Sequence, residues 1–540
     1  MDYGPATQES AESAMAPVPP SRTAAVRPHG RTVKLRVPAN WALLAVLVVQ
    51  AALSLRLVRA DTAFEDEATY LWAGHLEWAH VLHGTPLPQF PAYFSGAPVL
   101  YPPIGALADS VGGLTGARIL SLIFMLGATV ALRGTAGRLF GRRAGLFAAA
   151  LFAVLGPTLH LGSFATYDAM SIFLVTLAAW LVVRAGERQD ATVWMIAAGV
   201  ALALADATAY TYALFDIVVL LLALVTAWPE PGGKAAARRP LTILAVMVVL
   251  LTPAVLIGGG QYLHGIENTT VFRAGGANSP LTVLGQSWSW TGVVALAAVC
   301  GAVYSWVTRA GRAQAWMLTL LAAAALLVPL DQASLHTTAS LNKHVDLGVW
   351  FAAIAAGYAV DKLIAAAPVG SMRAVTCGAC VLALSFPLAL AAGQSWVFAT
   401  SWPNSTAFIA ILRPLVADTS GHLLVEDPSI AEYYLPAGSQ WERWSGTRNI
   451  VTRSGTSTGG PSNAAGVVGA GNAGTYGLYV EERYFSLVAL NFSDTVTLDK
   501  AISAALHRYG HYQTVQVVPY GAGPAGPTPG TYVIWRRESR

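Results

Sequence analysis

The chain has 540 residues, of which 54% are hydrophobic and 11% are charged, and its formal net charge is +4. Soluble domains carry roughly 25% charged residues, so this composition excludes an ordinary soluble multidomain protein. The long apolar stretches are confined to 41–392, whereas 1–38 and 393–540 have the composition of water-exposed segments. We therefore predict a polytopic α-helical membrane protein with a soluble C-terminal domain and no nucleic-acid partner.

Residues 1–38 are rich in Ala, Pro, Ser and Thr, a composition that cannot build a core, and we expect a disordered tail there. A membrane span needs about 20 apolar residues. Applied to 39–392, this rule predicts about eleven membrane helices. Their predicted ranges are 41–58, 116–133, 144–161, 168–184, 192–208, 211–228, 240–259, 288–307, 314–330, 345–361 and 374–392.

Lys and Arg are concentrated on one side of the predicted helices, in the N-terminal tail and in every second loop. Because basic residues near membrane helices favour the cytoplasmic side, we predict a cytoplasmic N-terminus. With an odd number of spans, the first loop, 59–115, and the C-terminal domain, 393–540, then lie outside the cytoplasm. We expect a multi-pass protein of the cell membrane.

The first outside loop begins with four carboxylates within 61–67. Asp66 is the candidate catalytic residue of this cluster, because a carboxylate at the outer face can accept the proton of an attacking hydroxyl. Like-charge crowding should raise its proton affinity unless a cation offsets the repulsion. The same cluster is also typical of a solvated loop or of a helix N-terminus. An amphipathic helix at the membrane interface is predicted over 68–82.

Four further polar residues lie at the outer ends of predicted spans or, for Arg273, in the second outside loop. Asp168 opens an apolar helix, where it could cap the helix or serve in a site, since ionisable groups near membrane spans are often functional. Lys343 is placed to bind a lipid phosphate or to snorkel at the headgroup level, and Arg273 is a weaker candidate of the same kind. Asp206, with Tyr212 nearby, is predicted to lie in a loop. No spacing of His, Cys, Asp or Glu specifies a metal site.

The C-terminal segment alternates apolar and polar residues in short runs. Strands are predicted at 422–426, 484–491, 514–518 and 531–535, with a helix at 499–509. These elements predict a small α/β domain, interrupted by a flexible Gly- and Ser-rich insertion at 454–475. No phosphate-binding loop is present, and we assign this domain no chemistry.

Several motifs together resemble one family. Asp66-Glu67-Ala-Thr-Tyr70 resembles the Asp-Glu-x-x-Tyr motif of the GT-C glycosyltransferases that use dolichyl or polyprenyl phosphate, and in particular glycosyltransferase family 39. That family includes protein O-mannosyltransferases and the aminoarabinose transferase of lipid A. The segments 98–103, 166–170 and 342–344 are similar to its proline motif, its second acidic motif and its basic segment. The resemblance covers about 60–360, with the motifs in the same order.

The resemblance implies a GT-C membrane domain over 39–392 and an inverting transfer of a sugar from a polyprenyl-phosphate donor to an acceptor hydroxyl. Asp66 would be the catalytic base, and Asp168 would share or support the acceptor site. Lys343 and His344 would stabilise the leaving phosphate. The further expected substrate-binding residues are Glu67, Tyr70, Tyr101 and Arg273. The acceptor stays open between a protein, a lipid and a wall glycan, and so does the need for a divalent cation.

The chain departs from the family pattern at two positions. Tyr101 stands where the proline motif often has a basic residue, and Ala209 stands where many relatives have a lysine. Arg273 is the candidate replacement for these phosphate-binding cations.

Two other functions remain open from the sequence. In a secondary transporter, Asp66, Asp168 and Asp206 would relay ions or protons, but such charges usually lie in mid-span within repeated units. The carboxylates here lie at the outer ends of spans, and no repeat is evident. A receptor or wall-binding protein would leave the acidic first loop unexplained.

Overall fold

The structure, a computed structural model, describes residues 39–92, 94–186, 191–227, 233–271, 273, 275–447, 473–493, 495–521 and 530–538. The predicted N-terminal tail, 1–38, and nearly all of the predicted insertion, 454–475, lie outside the described residues. The remainder, Ala39–Arg540, forms one compact unit.

The membrane part is a bundle of α-helices whose apolar side chains supply both the core and the outer surface. Its helices are α1 (Ala39–Leu55), α2 (Glu65–His83), α3 (Tyr101–Phe140), α4 (Arg142–Ala153), α5 (Gly156–Leu161), α6 (Tyr167–Ala185), α7 (Thr192–Thr208), α8 (Asp216–Ala227), α9 (Gly233–Thr269), α10 (Pro280–Val307), α11 (Arg312–Ala323), α12 (Leu327–Ser334), α13 (Leu341–Ala366), α14 (Ser371–Ala383) and α15 (Ser385–Ala399). A short 3₁₀ helix, Tyr210–Phe215, joins α7 to α8.

Helices long and apolar enough to cross a membrane confirm the multi-pass prediction. In the described part of the chain they are Tyr101–Phe140, Tyr167–Ala185, Tyr210–Ala227, Ala236–Glu267, Pro280–Val307, Arg312–Ser334, Leu341–Ala366 and Ser371–Ala399. The other three predicted spans, 41–58, 144–161 and 192–208, form shorter helices, and the middle one is interrupted just before Gly156-Pro157. The total of about eleven spans stays a prediction.

Helix α3 begins much earlier than the predicted span at 116–133. Pro102 and Pro103 occupy its first turn, where a missing N–H removes no helical hydrogen bond. The helix is kinked at Gly113, whose φ of 60° lies in the left-handed region that glycine adopts without steric cost. The proline motif therefore starts a membrane helix.

The C-terminal part contains a five-stranded mixed sheet. Its strands are β1 (His422–Val425), β2 (Trp444–Ser445), β3 (Phe485–Leu490), β4 (Tyr512–Tyr520) and β5 (Gly530–Arg537), in the order β2-β1-β3-β5-β4. Strands β2, β1 and β3 run parallel, whereas β5 is antiparallel to β3 and β4. The central strand β3 is buried along its whole length, as expected for a strand covered on both faces.

Helices cover the two faces of this sheet. They are α16 (Thr406–Ala417), α17 (Ser429–Tyr434), α18 (Ala473–Glu481) and α19 (Val496–Tyr509). Apolar residues of α16 and α17 pack in one cluster, and those of α18 and α19 pack in another. The four predicted strands and the predicted helix are all confirmed, and so is the α/β class. Strand β2 and the helices α16, α17 and α18 were not predicted from the sequence.

Candidate active site

The predicted base and the predicted phosphate-binding cation are hydrogen-bonded to each other. Asp66 lies in the first turn of α2, and Lys343 lies in the first turn of α13. Lys343 Nζ donates to Asp66 Oδ2 over 2.7 Å. The Asp66 side chain is 33% exposed, whereas that of Lys343 is 8% exposed. The carboxylate is thus open to a small reactant, and the ammonium group lies beneath it.

Asp168 completes a charged cluster from the buried side. Lys343 Nζ is 3.8 Å from Asp168 Oδ2, and His344 Nε2 is 3.8 Å from Asp168 Oδ1. The positive end of a helix disfavours a cation, so Lys343 in the first turn of α13 requires this negative surrounding. Two carboxylates provide it, one partly exposed and one fully buried.

Two hydrogen bonds fix the Asp168 carboxylate, one from the residue before α6 and one from the 3₁₀ helix Tyr210–Phe215. Thr166 Oγ1 donates to Oδ2 over 2.7 Å, and the Tyr212 hydroxyl donates to Oδ1 over 3.0 Å. On the far side of His344, the side-chain amide nitrogen of Gln332 lies 3.1 Å from Nδ1. An amide nitrogen can only donate, so Nδ1 accepts and a proton on Nε2 faces Asp168.

Glu67, the neighbour of Asp66, points away from this cluster. Its carboxylate accepts Arg118 Nε over 2.8 Å and Arg118 Nη2 over 2.6 Å. It also accepts the backbone N–H groups of Phe64 and Ala165, over 3.0 and 2.7 Å. Glu67 is fully buried, and all these bonds are internal. The like-charge crowding expected around Asp66 is therefore offset by two cations, Lys343 for Asp66 and Arg118 for Glu67.

The two expected substrate-binding tyrosines form an aromatic stack beside the charged cluster. The Tyr70 ring lies 4.6 Å from that of Tyr167 and 5.3 Å from that of Phe94, centroid to centroid. Tyr101 meets Tyr70 edge to face at 6.3 Å and is itself buried. Burial raises the pKa of Tyr70 well above its ordinary value, so this side chain is a neutral phenol at physiological pH.

Arg273 and Asp206 lie at the margin of the site. Arg273 is partly buried and within electrostatic range of His344. The loop prediction for Asp206 is wrong, because this residue is buried near the end of α7. Its predicted neighbour Tyr212 instead bonds Asp168. Within the described residues, no group of three or more His, Cys, Asp or Glu side chains is arranged to hold a metal ion.

No role was predicted for Arg118, Tyr167 or Gln332, and the contact between Tyr212 and Asp168 was not predicted. Arg118 carried a signal, because an arginine within a predicted apolar span needs a buried partner. The others carried none, since tyrosine and glutamine at a span end are ordinary interfacial residues.

Comparison with known proteins agrees with the motifs. Residues 105–257 match the sequence profile of the family described as dolichyl-phosphate-mannose-protein mannosyltransferase. No curated protein sequence is significantly similar to the chain.

Solved structures share the fold at low sequence identity. ArnT from Cupriavidus metallidurans bound to undecaprenyl phosphate aligns with a TM-score of 0.59 at 14% identity, covering 92% of this chain and 98% of ArnT. AglB from Archaeoglobus fulgidus, in complex with an inhibitory peptide and a dolichol-phosphate, aligns with a TM-score of 0.52 at 14% identity, covering 91% and 74%. The arabinofuranosyltransferase AftD from Mycobacteria aligns with a TM-score of 0.51 at 16% identity, covering 92% and 41%. The GT-C fold implied by the resemblance is confirmed, and the family match covers 105–257.

Proposed function

We propose, from the GT-C glycosyltransferase fold of this membrane protein and its match to a mannosyltransferase family, that it transfers a sugar from a polyprenyl phosphate to an acceptor hydroxyl outside the cytoplasm. The observation that carries the proposal is the contact between a partly exposed carboxylate, Asp66, and a buried ammonium, Lys343. One group can take a proton from the acceptor, and the other can stabilise a departing phosphate.

The proposed reaction is a single displacement. The Asp66 carboxylate takes the proton of the acceptor hydroxyl, and the resulting oxygen nucleophile forms a bond to the anomeric carbon. The bond from that carbon to the phosphate oxygen breaks on the opposite side, and its electron pair leaves with the polyprenyl phosphate. The configuration at the anomeric carbon is therefore inverted. Lys343 stabilises the charge that develops on the phosphate, an effect that is strongest in a partly desolvated site.

Competition for Lys343 would couple donor binding to the activation of the base. Asp66 and a donor phosphate need the same ammonium group, and Lys343 has a second anionic contact to Asp168 at 3.8 Å. When Lys343 turns to the phosphate, it releases the Asp66 carboxylate, whose oxygen can then accept the hydrogen bond of the acceptor hydroxyl. Donor binding would thereby free Asp66 to act as the general base.

We assign the remaining candidates by their surroundings. Asp168 is fully buried, which favours support of Lys343 and His344 over contact with the acceptor. Glu67 has internal partners only, so we propose that it positions α2. Tyr70, on the aromatic stack, is proposed to line the sugar site above Tyr101. Arg273 is proposed to add a second positive charge near the phosphate.

The proposed setting is the outer face of the cell membrane, with the N-terminus in the cytoplasm. ArnT and AglB, solved with undecaprenyl phosphate and with a dolichol-phosphate, support a lipid-linked donor for this chain. The sugar and the acceptor class, whether protein, lipid or wall glycan, are not specified by this likeness. The transporter alternative has no support from the family match or from these structures.

The deciding experiment replaces Asp66 by Asn in the full-length membrane-inserted protein. We expect the rate of polyprenyl-phosphate release from a panel of sugar-linked donors to fall about 10²–10⁴-fold, the usual contribution of a general base. Asp418→Asn is the matched control, because Asp418 is 68% exposed and only pairs with Arg536 on the surface. An Asp66→Asn protein with wild-type turnover would refute the mechanism.

Lys343→Ala tests the second half of the proposal. It should weaken use of the lipid donor more than use of the acceptor, because the lysine is assigned to the phosphate. Equal loss toward both substrates would indicate structural damage instead. Solute flux in vesicles without consumption of a glycolipid would favour a transporter.

A further inference from the structure

The short turn that leads into α2 is held by residues from the C-terminal part of the chain. This turn, Asp61 to Phe64, is called the entry turn below. The Tyr434 hydroxyl accepts the Ala63 backbone N–H over 2.8 Å. Trp402 Nε1 donates to the Thr62 carbonyl over 3.0 Å. Both contacts join residues more than 300 positions apart in the chain.

Two further hydrogen bonds reinforce the grip on the entry turn. Asn404 Nδ2 donates to Asp61 Oδ1 over 2.8 Å, and the Ser405 backbone N–H donates to Thr62 Oγ1 over 3.0 Å. The Phe64 ring also lies 5.3 Å from the Trp402 ring, centroid to centroid. The C-terminal part thus contacts the entry turn through backbone, side-chain and aromatic groups.

The opposite side of the entry turn is held by the membrane part. Arg118 donates to the Asp61 carbonyl over 3.0 Å and to the Thr62 carbonyl over 3.1 Å. The Thr62 carbonyl therefore accepts one donor from each side, Arg118 and Trp402. A turn held from both sides has little freedom to shift the helix that follows.

The same part of the chain also covers the rest of the first loop. Trp72 Nε1 donates to the Gly438 carbonyl over 2.9 Å, and Trp441 Nε1 donates to the Pro86 carbonyl over 3.1 Å. The Tyr433 hydroxyl donates to Asp109 Oδ1 over 2.7 Å. The contacts with the entry turn are thus part of a wider interface that includes α2, the segment after it and α3.

We propose that the C-terminal domain acts as a clamp that sets the direction of Asp66, with Tyr434 and Trp402 as positioning residues. Asp66 lies only two residues after Phe64, in the first turn of α2, so its side chain follows any movement of the entry turn. Displacing a reacting group by about 1 Å can cost on the order of 10²-fold in rate. The expected effect on catalysis rests on the function proposed for Asp66. The mechanical part, that the C-terminal domain restrains the entry turn, does not depend on that function.

Amide hydrogen exchange tests the mechanical part without any assay of activity. Tyr434→Phe removes only the hydroxyl that accepts the Ala63 N–H. We expect exchange at Ala63 and in the peptide 61–70 to accelerate about fivefold, the factor for one lost hydrogen bond. Tyr512→Phe is the matched control, because its buried hydroxyl donates to the Phe485 carbonyl inside the C-terminal sheet. This control should leave exchange in 61–70 unchanged.

Kinetics then test the positioning role. In Tyr434→Phe and Trp402→Phe we expect kcat to fall about tenfold, a partial misplacement effect, with the KM for the lipid donor unchanged. Trp402→Phe provides a second route to the same result, because it removes the indole N–H but keeps an aromatic ring. The proposal is overturned if Tyr434→Phe and Tyr512→Phe exchange alike in 61–70. It is also overturned if exchange accelerates while kcat in an active enzyme is unchanged. If wild type proves inactive, the proposed function fails and the exchange result still decides the clamp.

Discussion

Glu67→Gln separates a positioning role from a substrate-binding role for this residue. Glu67 and Arg118 form a buried ion pair, and their side chains are 0% and 2% exposed. Glutamine keeps the shape of the side chain but leaves the Arg118 charge uncompensated in a site that water does not reach. It also turns an amide N–H₂ toward N–H donors that need an acceptor. Breaking one partner of such a buried pair costs about 3–5 kcal/mol.

Reversible unfolding in lipid–detergent micelles would measure this change in the free energy of unfolding. The control is Glu481→Gln, because Glu481 is exposed at the end of α18 and its replacement should change stability little. A Glu67→Gln protein that is as stable as wild type but inactive would refute this reasoning. Glu67 would then be a substrate ligand, as the family resemblance implied.

Two other carboxylates give predictions of opposite sign. Burial raises the pKa of Glu77, on α2 outside the spans, from 4.5 to about 8, so the folded state holds a proton that the unfolded state loses in this range. The free energy of unfolding of the wild type therefore falls as the pH rises from 4.5 to 8. Glu77→Gln carries no such charge, so its thermal unfolding midpoint should be higher than that of wild type at pH 8 but not at pH 4. Glu426 accepts the backbone N–H groups of Asn491, Phe492 and Ser493 over 2.6 to 3.0 Å. Glu426→Gln should therefore destabilise the C-terminal domain by about 3 kcal/mol, measurable as faster proteolysis there, and an unchanged digestion rate would contradict the assignment.

Most helices and strands could be predicted from the sequence, because each depends on the pattern of apolar residues within its own segment. An apolar run long enough to cross a membrane predicts a helix. A short run of apolar and β-branched residues predicts a strand such as β3 or β5. The start of α3 was missed because Pro102-Pro103 is compatible both with a loop and with a first helical turn. The signal at that position does not distinguish the two conformations.

The site could be predicted only in part, because its contacts join distant residues. Asp66 and Lys343 are 277 positions apart, and no periodicity relates them. Their pairing was expected only through the order of motifs in the family resemblance. The bonds from Tyr212 to Asp168 and from Arg118 to Glu67 span 44 and 51 positions and belong to no motif that we used. Such contacts follow from helix packing, which the pattern of a single chain does not specify.

Asp66 and Glu67 are adjacent on α2 but have different surroundings, because the helix points their side chains in different directions. Successive side chains point about 100° from each other, so Asp66 faces α13 while Glu67 faces α3. Glu67 is buried, accepts hydrogen bonds from Arg118 and from the Ala165 backbone, and is proposed to hold the helix in place. Asp66 is one-third exposed and contacts a lysine that has a second carboxylate nearby. A base must be able to exchange its partner during the reaction, whereas an anchor must not. The helix keeps these two directions fixed relative to each other, and the proposed clamp on the entry turn would fix the helix itself.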